Sequence, residues 1–416
     1  RGSRRNSRLI KSPFKELPRE VSILVAASFF VAIGFGIVMP AIPVFAKSFG
    51  VSNAAIGLMV SAFAITRFGS GLISGSLVDR FGERATFSTG VFFVAISTFL
   101  AGLAQSYHQL LFFRAAGGLG SSMFSVAAYS VIMRSVDDNH RGRAQSVYQG
   151  AFLIGGIAGP AIGGLLSAIS LRAPFFVYSI LLLCAGAVSF FFLKGDKIGV
   201  STSTSNSIES TTVAEALRMK PYLIALVLTF ISTWVTFGLR ASILPIFVTE
   251  DLKSSTAIVG YGLALSAVMQ GIFLLRAGRF SDATGRKASA VIGANVVFVS
   301  VLILTFATHV WMFILSMLVM GFGAAFLVTT PASIVGDVIK GKGGKVIGIF
   351  QMAGDAGMMV GPIVIGAISD AFSYRTAFGF SAAIFLIVLA LVYQIPETRN
   401  VEGPQVNTLK PLDEDL

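Results

Sequence analysis

Residues 75–84 read G-S-L-V-D-R-F-G-E-R, and residues 278–287 read G-R-F-S-D-A-T-G-R-K. In each, a glycine (Gly75, Gly278) is followed at plus four by Asp79 or Asp282, at plus seven by Gly82 or Gly285, and at plus nine by Arg84 or Lys287. Arg80 and Arg286 add a second base to each copy. Both copies join one long apolar run to the next, and they lie 203 residues apart in a chain of 416. Further pairs repeat in the same register: Gly118-x-Gly120 with Gly321-x-Gly323, Gly159-Pro160 with Gly361-Pro362, and Ile42-Pro43 with Leu244-Pro245. Matches spread along the whole length at one offset point to a duplicated chain.

The composition says what kind of chain was duplicated. It is 54% hydrophobic and 12% charged, with mean hydropathy +0.81. Soluble domains carry about 25% charged residues. Apolar runs of spanning length cover residues 21–45, 54–78, 86–104, 109–133, 144–167, 173–193, 221–247, 257–280, 288–307, 310–335, 346–369 and 375–395. Each is long enough to cross a hydrocarbon core of ~30 Å. The expected class is an all-α membrane protein with twelve transmembrane helices in two pseudo-symmetric six-helix bundles. Residues 1–20 form a tail, 21–193 and 221–395 the bundles, 194–220 a flexible linker rich in Ser and Thr, and 396–416 a second tail. The first run is too long for a signal peptide and lacks a small-residue cleavage site.

The basic residues set the orientation. If both termini lie in the cytoplasm, of the 32 Lys and Arg only Lys47, Arg172, Lys253 and Arg375 fall on the far side, and four lie within spans. That asymmetry obeys the positive-inside rule. It also explains the net charge of +12 without a nucleic acid partner. The single cysteine, Cys184, is expected to pack within its span, and no Cys/His spacing suits a metal.

Twelve spans in two parallel halves with a repeated G-x-x-x-D-x-x-G-x-[RK] loop resemble the major facilitator superfamily. Residues 150–164, G-A-F-L-I-G-G-I-A-G-P-A-I-G-G, are similar to the Gly-Pro signature on the fifth helix of its drug:proton antiporter branch. Residues 114–122, R-A-A-G-G-L-G-S-S, are similar to a fourth-helix motif, with Gly117 in place of the usual Gln and Ser121-Ser122 in place of an Ala pair. The resemblance implies a monomeric transporter of the plasma membrane working by alternating access. It implies that the first loop motif meets helix 11, the second meets helix 5, and these contacts close the cytoplasmic side.

The residue types suit such work. A glycine without a side chain lets two helices touch, and a carboxylate at a membrane edge can meet the positive N-terminus of a helix. The alternative for each loop motif is a tight turn with ordinary positive-inside bases. On the fifth span Gly150, Gly155, Gly159, Gly163 and Gly164 flank Pro160, which can bend the helix. Gly361, Pro362 and Gly366 repeat a weaker version on the eleventh. Either set can be a conformational hinge or a plain packing seam.

Ionisable residues within spans point to function, because each costs ~3 kcal/mol or more unpaired at the centre of a bilayer. They are Arg67, Arg114, Arg240, Arg276 and Asp355. Arg67 and Asp355 lie near the midplane. Burial favours a neutral carboxyl and a nearby base opposes it, so Asp355 reads as a proton-coupling residue with Arg67 and Arg114 as partners. A permanent Asp–Arg pair is the bland alternative. Arg240 and Arg276 sit near helix ends and are expected to snorkel. Gln149, Gln270, Gln351, Ser121, Ser125 and Tyr129 are candidate polar cavity residues, and Trp234, Phe237 and Phe326 candidate apolar ones. Within spans bases outnumber acids and helix 1 carries no ionisable group, which favours neutral or anionic substrates.

Other classes find no support. Residues 341–345, G-K-G-G-K, lack the spacing and preceding strand of a phosphate loop, so no nucleotide is expected. There is no catalytic dyad and no cofactor is expected, so the chain is not read as an enzyme. The reading is a secondary active transporter that exports amphipathic small molecules in exchange for protons. A symporter or uniporter for a sugar or organic anion, and a channel, are the alternatives.

Overall fold

A segment inside a bilayer must satisfy its backbone hydrogen bonds internally, and the described elements are accordingly helices, with no strand among the described residues. The computed structural model describes residues 18–135, 141–193, 211–338 and 344–398. The expected terminal tails (except for 18–20 and 396–398), the linker over 194–210 and most of the 341–345 run lie outside the described residues.

The twelve expected spans are present. They are α1 (Arg19–Lys47), α2 (Asn53–Gly69 continued by Gly71–Phe81), α3 (Glu83–Leu103), α4 (Tyr107–Ser135), α5 (Arg141–Ile169) and α6 (Ala173–Phe192) in the first half. In the second half they are α7 (Lys220–Asp251), α8 (Thr256–Thr284), α9 (Arg286–Thr305), α10 (Val310–Val338), α11 (Gly344–Ala371) and α12 (Tyr374–Tyr393). A short helix, Val213–Arg218, precedes α7 and starts at a capping box between Thr212 and Glu215. Ten of the twelve are long and apolar enough to cross a membrane as single described helices. The bent pair α2 is an eleventh; α5 is a helix of 29 residues whose apolar part among the described residues is the shorter stretch Ala158–Ile169.

Three helices depart from straight spans, each for a local reason. α1 breaks at Met39–Pro40, where proline cannot continue the hydrogen-bond ladder. α2 turns by 52° around residues 69–73, beside the pair Gly69 and Gly71. α7 is π-helical over Trp234–Ile243 and again over Phe247–Asp251.

Two buried clusters follow the duplication. One runs from Val21 to Leu193 and takes Ile246 from the other half; the second runs from Ala216 to Ile395. Large apolar side chains such as Ile73, Phe112, Ile169, Phe191 and Leu275 stay exposed. In a chain of this length they form the lipid-facing surface of a multi-pass membrane protein. Cys184, expected to pack inward, is instead exposed on that surface.

Candidate functional site

Two seams join the bundles, and both are built from small residues. In the first, α2 lies along α11. A side chain at Gly57 would collide with the Pro362 carbonyl, and one at Gly366 with the Asn53 backbone. Ser61 Oγ donates to the Met359 carbonyl at 2.6 Å. In the second, α5 lies along α8: a Cβ at Gly260 would meet the Pro160 carbonyl and one at Gly164 the Thr256 carbonyl. These contacts sit on the half of each helix farther from the termini. The α2–α11 seam ends in a polar latch. The Asp370 carboxylate accepts from the backbone N–H of Asn53 at 2.8 Å and of Ala54 at 2.7 Å, capping the first turn of α2 from the opposite bundle. Asn53 Nδ2 donates to Ser369 Oγ, and Lys47 Nζ donates to Asn53 Oδ1 and faces Glu250 at 3.8 Å. Glu250 in turn accepts from the Tyr374 hydroxyl at 2.6 Å.

Toward the termini the helices part. Arg67 lies six residues beyond Ser61 and Asp355 four residues before Met359, so both sit roughly 6–9 Å past the last seam contact, at ~1.5 Å per residue. Asp355 feels the charge of Arg67 across the gap. Neither makes an ion pair or hydrogen bond among the described residues, so the permanent Asp–Arg pair is not what this structure holds. The fork opens into a cavity of about 1080 Å³, mouth included, into which Arg67, Ser121, Ser125 and Tyr129 project. Tyr148 and Tyr178 add hydroxyls, and Phe35, Phe63, Phe237 and Met358 add apolar wall.

The expected residues therefore separate. Ser121, Ser125, Tyr129 and Phe237, expected in a cavity, and Arg67, expected in proton coupling, line this one. Arg114 does not. It lies behind Phe63, its guanidinium 4.2 Å from the ring centroid, beside two small voids, with Nε unpartnered. Trp234 and Phe326 are corrections. Trp234 is buried in the second bundle, where its indole N–H donates to Ser381 Oγ. Phe326 is buried against Phe280 and Phe322. Gln270 and Gln351 are not among the residues lining the cavity, and the Gln149 side chain lies outside the described residues. Arg240 does not snorkel: its Nε is buried without a partner inside the π-helical stretch. Arg276 is exposed, donating to the Ile272 carbonyl one turn back and lying over Phe273.

The fifth-helix motif divides its glycines between two neighbours. Gly155, Gly159 and Gly163 pack on α1, at Ala32, Gly36 and Ile37, while Gly164 and the Pro160 carbonyl meet α8. Gly150 starts the motif one turn earlier. On α11, Gly361 rests on Trp234 and Gly238 of α7, and Pro362 and Gly366 face α2. Each motif therefore gives part of its small residues to its own bundle and part to the contact between bundles.

The repeated loop motif is where expectation and structure differ most. Side chains added at Gly75 or Gly278 would meet open space, so neither glycine touches another helix here. Arg84 donates to the Phe190 carbonyl and lies over the Phe190 ring within its own bundle; Arg80 lies over Phe81. Arg286 bonds Asp282 at 2.5 Å and Asp337 at 2.9 Å, also within its bundle. Lys287 and Arg286 offer their backbone N–H groups to Glu397. Gly82 and Gly285 hold φ of +83° and +120°, a backbone region where other residues are strained, so each turn needs its glycine. Sequence reasoning missed Asp370 and Asn53. The available signal was a carboxylate one residue past the end of the eleventh span and a Ser52-Asn53 helix start.

A two-bundle helical protein, sealed on one side and holding a polar-lined cavity open toward the other, is a transporter and not an enzyme. The chain belongs to the Major Facilitator Superfamily, whose model matches residues 24–240 and 225–412. Among curated relatives, Quinolone resistance protein NorA of Staphylococcus aureus (strain COL) is 24% identical over 382 residues, covering 89% of this chain and 96% of that protein. Multidrug resistance protein 2 of Bacillus subtilis (strain 168) is 25% identical over 400 residues, covering 92% and 96%. An uncharacterized MFS-type transporter of Methanocaldococcus jannaschii is 22% identical over 386 residues, covering 91% and 98%. Among solved structures, a bacterial homolog of the human lysosomal transporter Spinster, inward-facing and unoccupied, aligns with TM-score 0.77 at 16% identity over 90% of this chain and 96% of that one. The nucleoside transporter NupG aligns with TM-score 0.72 at 15% identity over 89% and 98%.

Proposed function

We propose that the protein is a secondary active transporter of the cytoplasmic membrane that exports amphipathic small molecules, neutral or anionic, in exchange for protons. The Lys/Arg asymmetry supports a cytoplasmic position for both termini; in that orientation the state is inward-facing, with the α2–α11 and α5–α8 seams shutting the outside. One observation carries the reading: Arg67 on one bundle and Asp355 on the other lie one to two turns past the Ser61–Met359 contact, where the α2–α11 seam opens, with no ion pair between them among the described residues. A charge pair straddling the line along which two bundles part changes its separation whenever they rock. A proton on Asp355 then has different stability in the two states, which is what coupling requires. The exporter direction draws on the names of NorA and Multidrug resistance protein 2 among the relatives. In this reading the loop motifs, whose Gly75 and Gly278 touch no other helix here, close the inner side in the other state.

The test is flux into proteoliposomes from a panel of amphipathic dyes under an imposed pH gradient. Saturable, gradient-driven accumulation and counterflow are expected, where a channel shows neither. Asp355→Asn should keep counterflow and lose gradient-driven accumulation; undiminished accumulation in that variant removes Asp355 from coupling. A second reading, co-transport of an organic anion with the proton, is favoured by the free Arg67 guanidinium in the cavity. It is separated by the sign of the gradient that drives flux.

A further inference from the structure

We propose that Arg67 is an anion-binding subsite and that the molecule carried is an amphipathic organic anion, its acid group on the guanidinium and its apolar body against the phenylalanine wall. The inference rests on reading the cavity as the transport site. Its first support is the charge inventory. Arg67 is the one charged residue among the described residues that line the cavity. Behind the wall lies a second cation, Arg114, also without a carboxylate partner among the described residues. The acids of the first bundle that the structure describes, Glu20, Asp79 and Glu83, all lie at its terminal-side edge, so the interior of that bundle is positive and uncompensated. Arg67 itself is exposed to the open cavity, so a ligand can reach its guanidinium.

The second support is geometry. Arg67 sits at the last turn before the 52° bend of α2. Beyond the bend, Ser74 Oγ donates to Ser122 Oγ of α4, so the lower half of α2 leans on its own bundle and leaves the fork open. The guanidinium is thus presented to the cavity rather than folded against a neighbouring helix. A planar guanidinium takes a carboxylate, sulfonate or phosphate through paired N–H donors. Tyr129, Ser121 and Ser125 place further hydroxyl donors on the same wall. Opposite are Phe35, Phe63, Phe237 and Met358, which suit an aromatic or aliphatic body.

Third, Asp355 stands at nearly the same level of the fork on the other bundle, four residues before Met359 where Arg67 is six beyond Ser61. An ionised carboxylate there repels the acid group of a cargo bound on the guanidinium. Ionised Asp355 competes with the anion; protonated Asp355 does not. In that case proton and anion bind together and travel in one direction, which is the co-transport reading above and not proton exchange.

The experiment uses three probes of nearly equal shape: 1-naphthaleneacetate, 1-naphthaleneacetamide and 2-(1-naphthyl)ethylamine. Their affinities are measured calorimetrically on the purified full chain in lipid nanodiscs. The acetate should bind about 10-fold or more tightly than the amide, as a charge-assisted bidentate contact implies, and the amine weakest. Arg67→Gln should bring acetate affinity down to that of the amide while amide affinity moves by less than about twofold. Arg67→Lys should retain part of the difference. Asp355→Asn should tighten acetate binding, and the wild-type protein should bind acetate more tightly near pH 6 than near pH 8. Equal binding of acetate and amide, no acetate binding at millimolar concentration, or an Arg67→Gln loss that is the same for both probes each overturns the proposal. If the amine or amide is bound and driven outward by a proton gradient while the acetate is not, proton-exchange export stands and the anion subsite falls.

Discussion

At the scale of single residues, glycine is used here as an absence of volume at defined points. Gly57, Gly164, Gly260 and Gly366 each stand where an added Cβ would run into backbone of the opposite bundle. Backbone cannot swing aside as a flexible side chain can, so a larger residue must push the helices apart. Overpacking of this kind costs about 1–3 kcal/mol, which shifts a two-state equilibrium by roughly 5- to 150-fold. Gly57→Leu is therefore expected to favour opening of the sealed side, the end of the bundles away from the termini. The readout is labelling of a cysteine placed at Ser369, buried in the sealed state, by a membrane-impermeant maleimide in a Cys184→Ser background. Labelling should speed up in Gly57→Leu and stay unchanged in Gly348→Ala, where a Cβ meets nothing. An equal rate in all three would mean that the seam tolerates bulk and does not set the state. Such glycines were only partly legible in the sequence. The Gly159-Pro160 and Gly361-Pro362 repeats announced a seam, yet which glycines face the other bundle depends on helix rotation. A chain apolar on nearly every face leaves rotation unmarked, because the lipid side and the packed side carry the same residue types.

At the scale of elements, the N-terminus of α2 is completed by a residue 317 positions away. The four free N–H groups of a helix start normally find a local cap. Ser52 supplies one, accepting from Ala55 N–H, and Asp370 of α11 supplies two more across the seam. A carboxylate in the first turn also meets the positive end of the helix, an interaction of about 0.3–1 kcal/mol, up to ~2 when partly buried. The cap exists only while that end of the bundles is shut, so its whole contribution belongs to that state. The Lys47–Glu250 contact beside it is long and partly exposed and adds little. Asp370→Ala should raise the labelling rate of the Ser369 reporter by about 5-fold or more, and Asp370→Asn less, because the amide still accepts. Lys47→Ala should change it by less than either. If Lys47→Ala has the larger effect, the latch is the ion pair rather than the helix cap. The repeated loop motifs teach the same lesson from the other side. Their spacing was plain in the sequence, and so was the need for a turn, which Gly82 and Gly285 meet with positive φ. Their contact partners were not, because a gate has two sets of neighbours and one structure holds one set.

At the scale of the whole molecule, the duplication visible at residues 75–84 and 278–287 dictates most of the architecture: two like bundles, two related seams, one cavity between them. The cavity itself breaks that symmetry. Of its described lining, only Phe237 and Met358 come from the second half. The sequence pointed equally at Trp234 and Phe326, and both went into the core of their own bundle because their neighbours Ser381 and Phe322 complete them there. An asymmetric cavity in a symmetric shell means that rocking moves the second bundle over a binding wall carried by the first. Tying the bundles together at the sealed end should therefore stop transport without removing binding. Asn53 and Ser369 offer the tie, since their side chains already meet at 2.8 Å. The double variant Asn53→Cys with Ser369→Cys, in the Cys184→Ser background, is expected to form a disulfide on oxidation. Flux in proteoliposomes should then fall to background and recover on reduction, while binding of cavity ligands from the terminal side persists throughout. Each single cysteine variant should transport normally under both conditions. Unchanged flux in the cross-linked protein would show that the α2–α11 seam does not open in the cycle, and that the bundles part along α5–α8 alone.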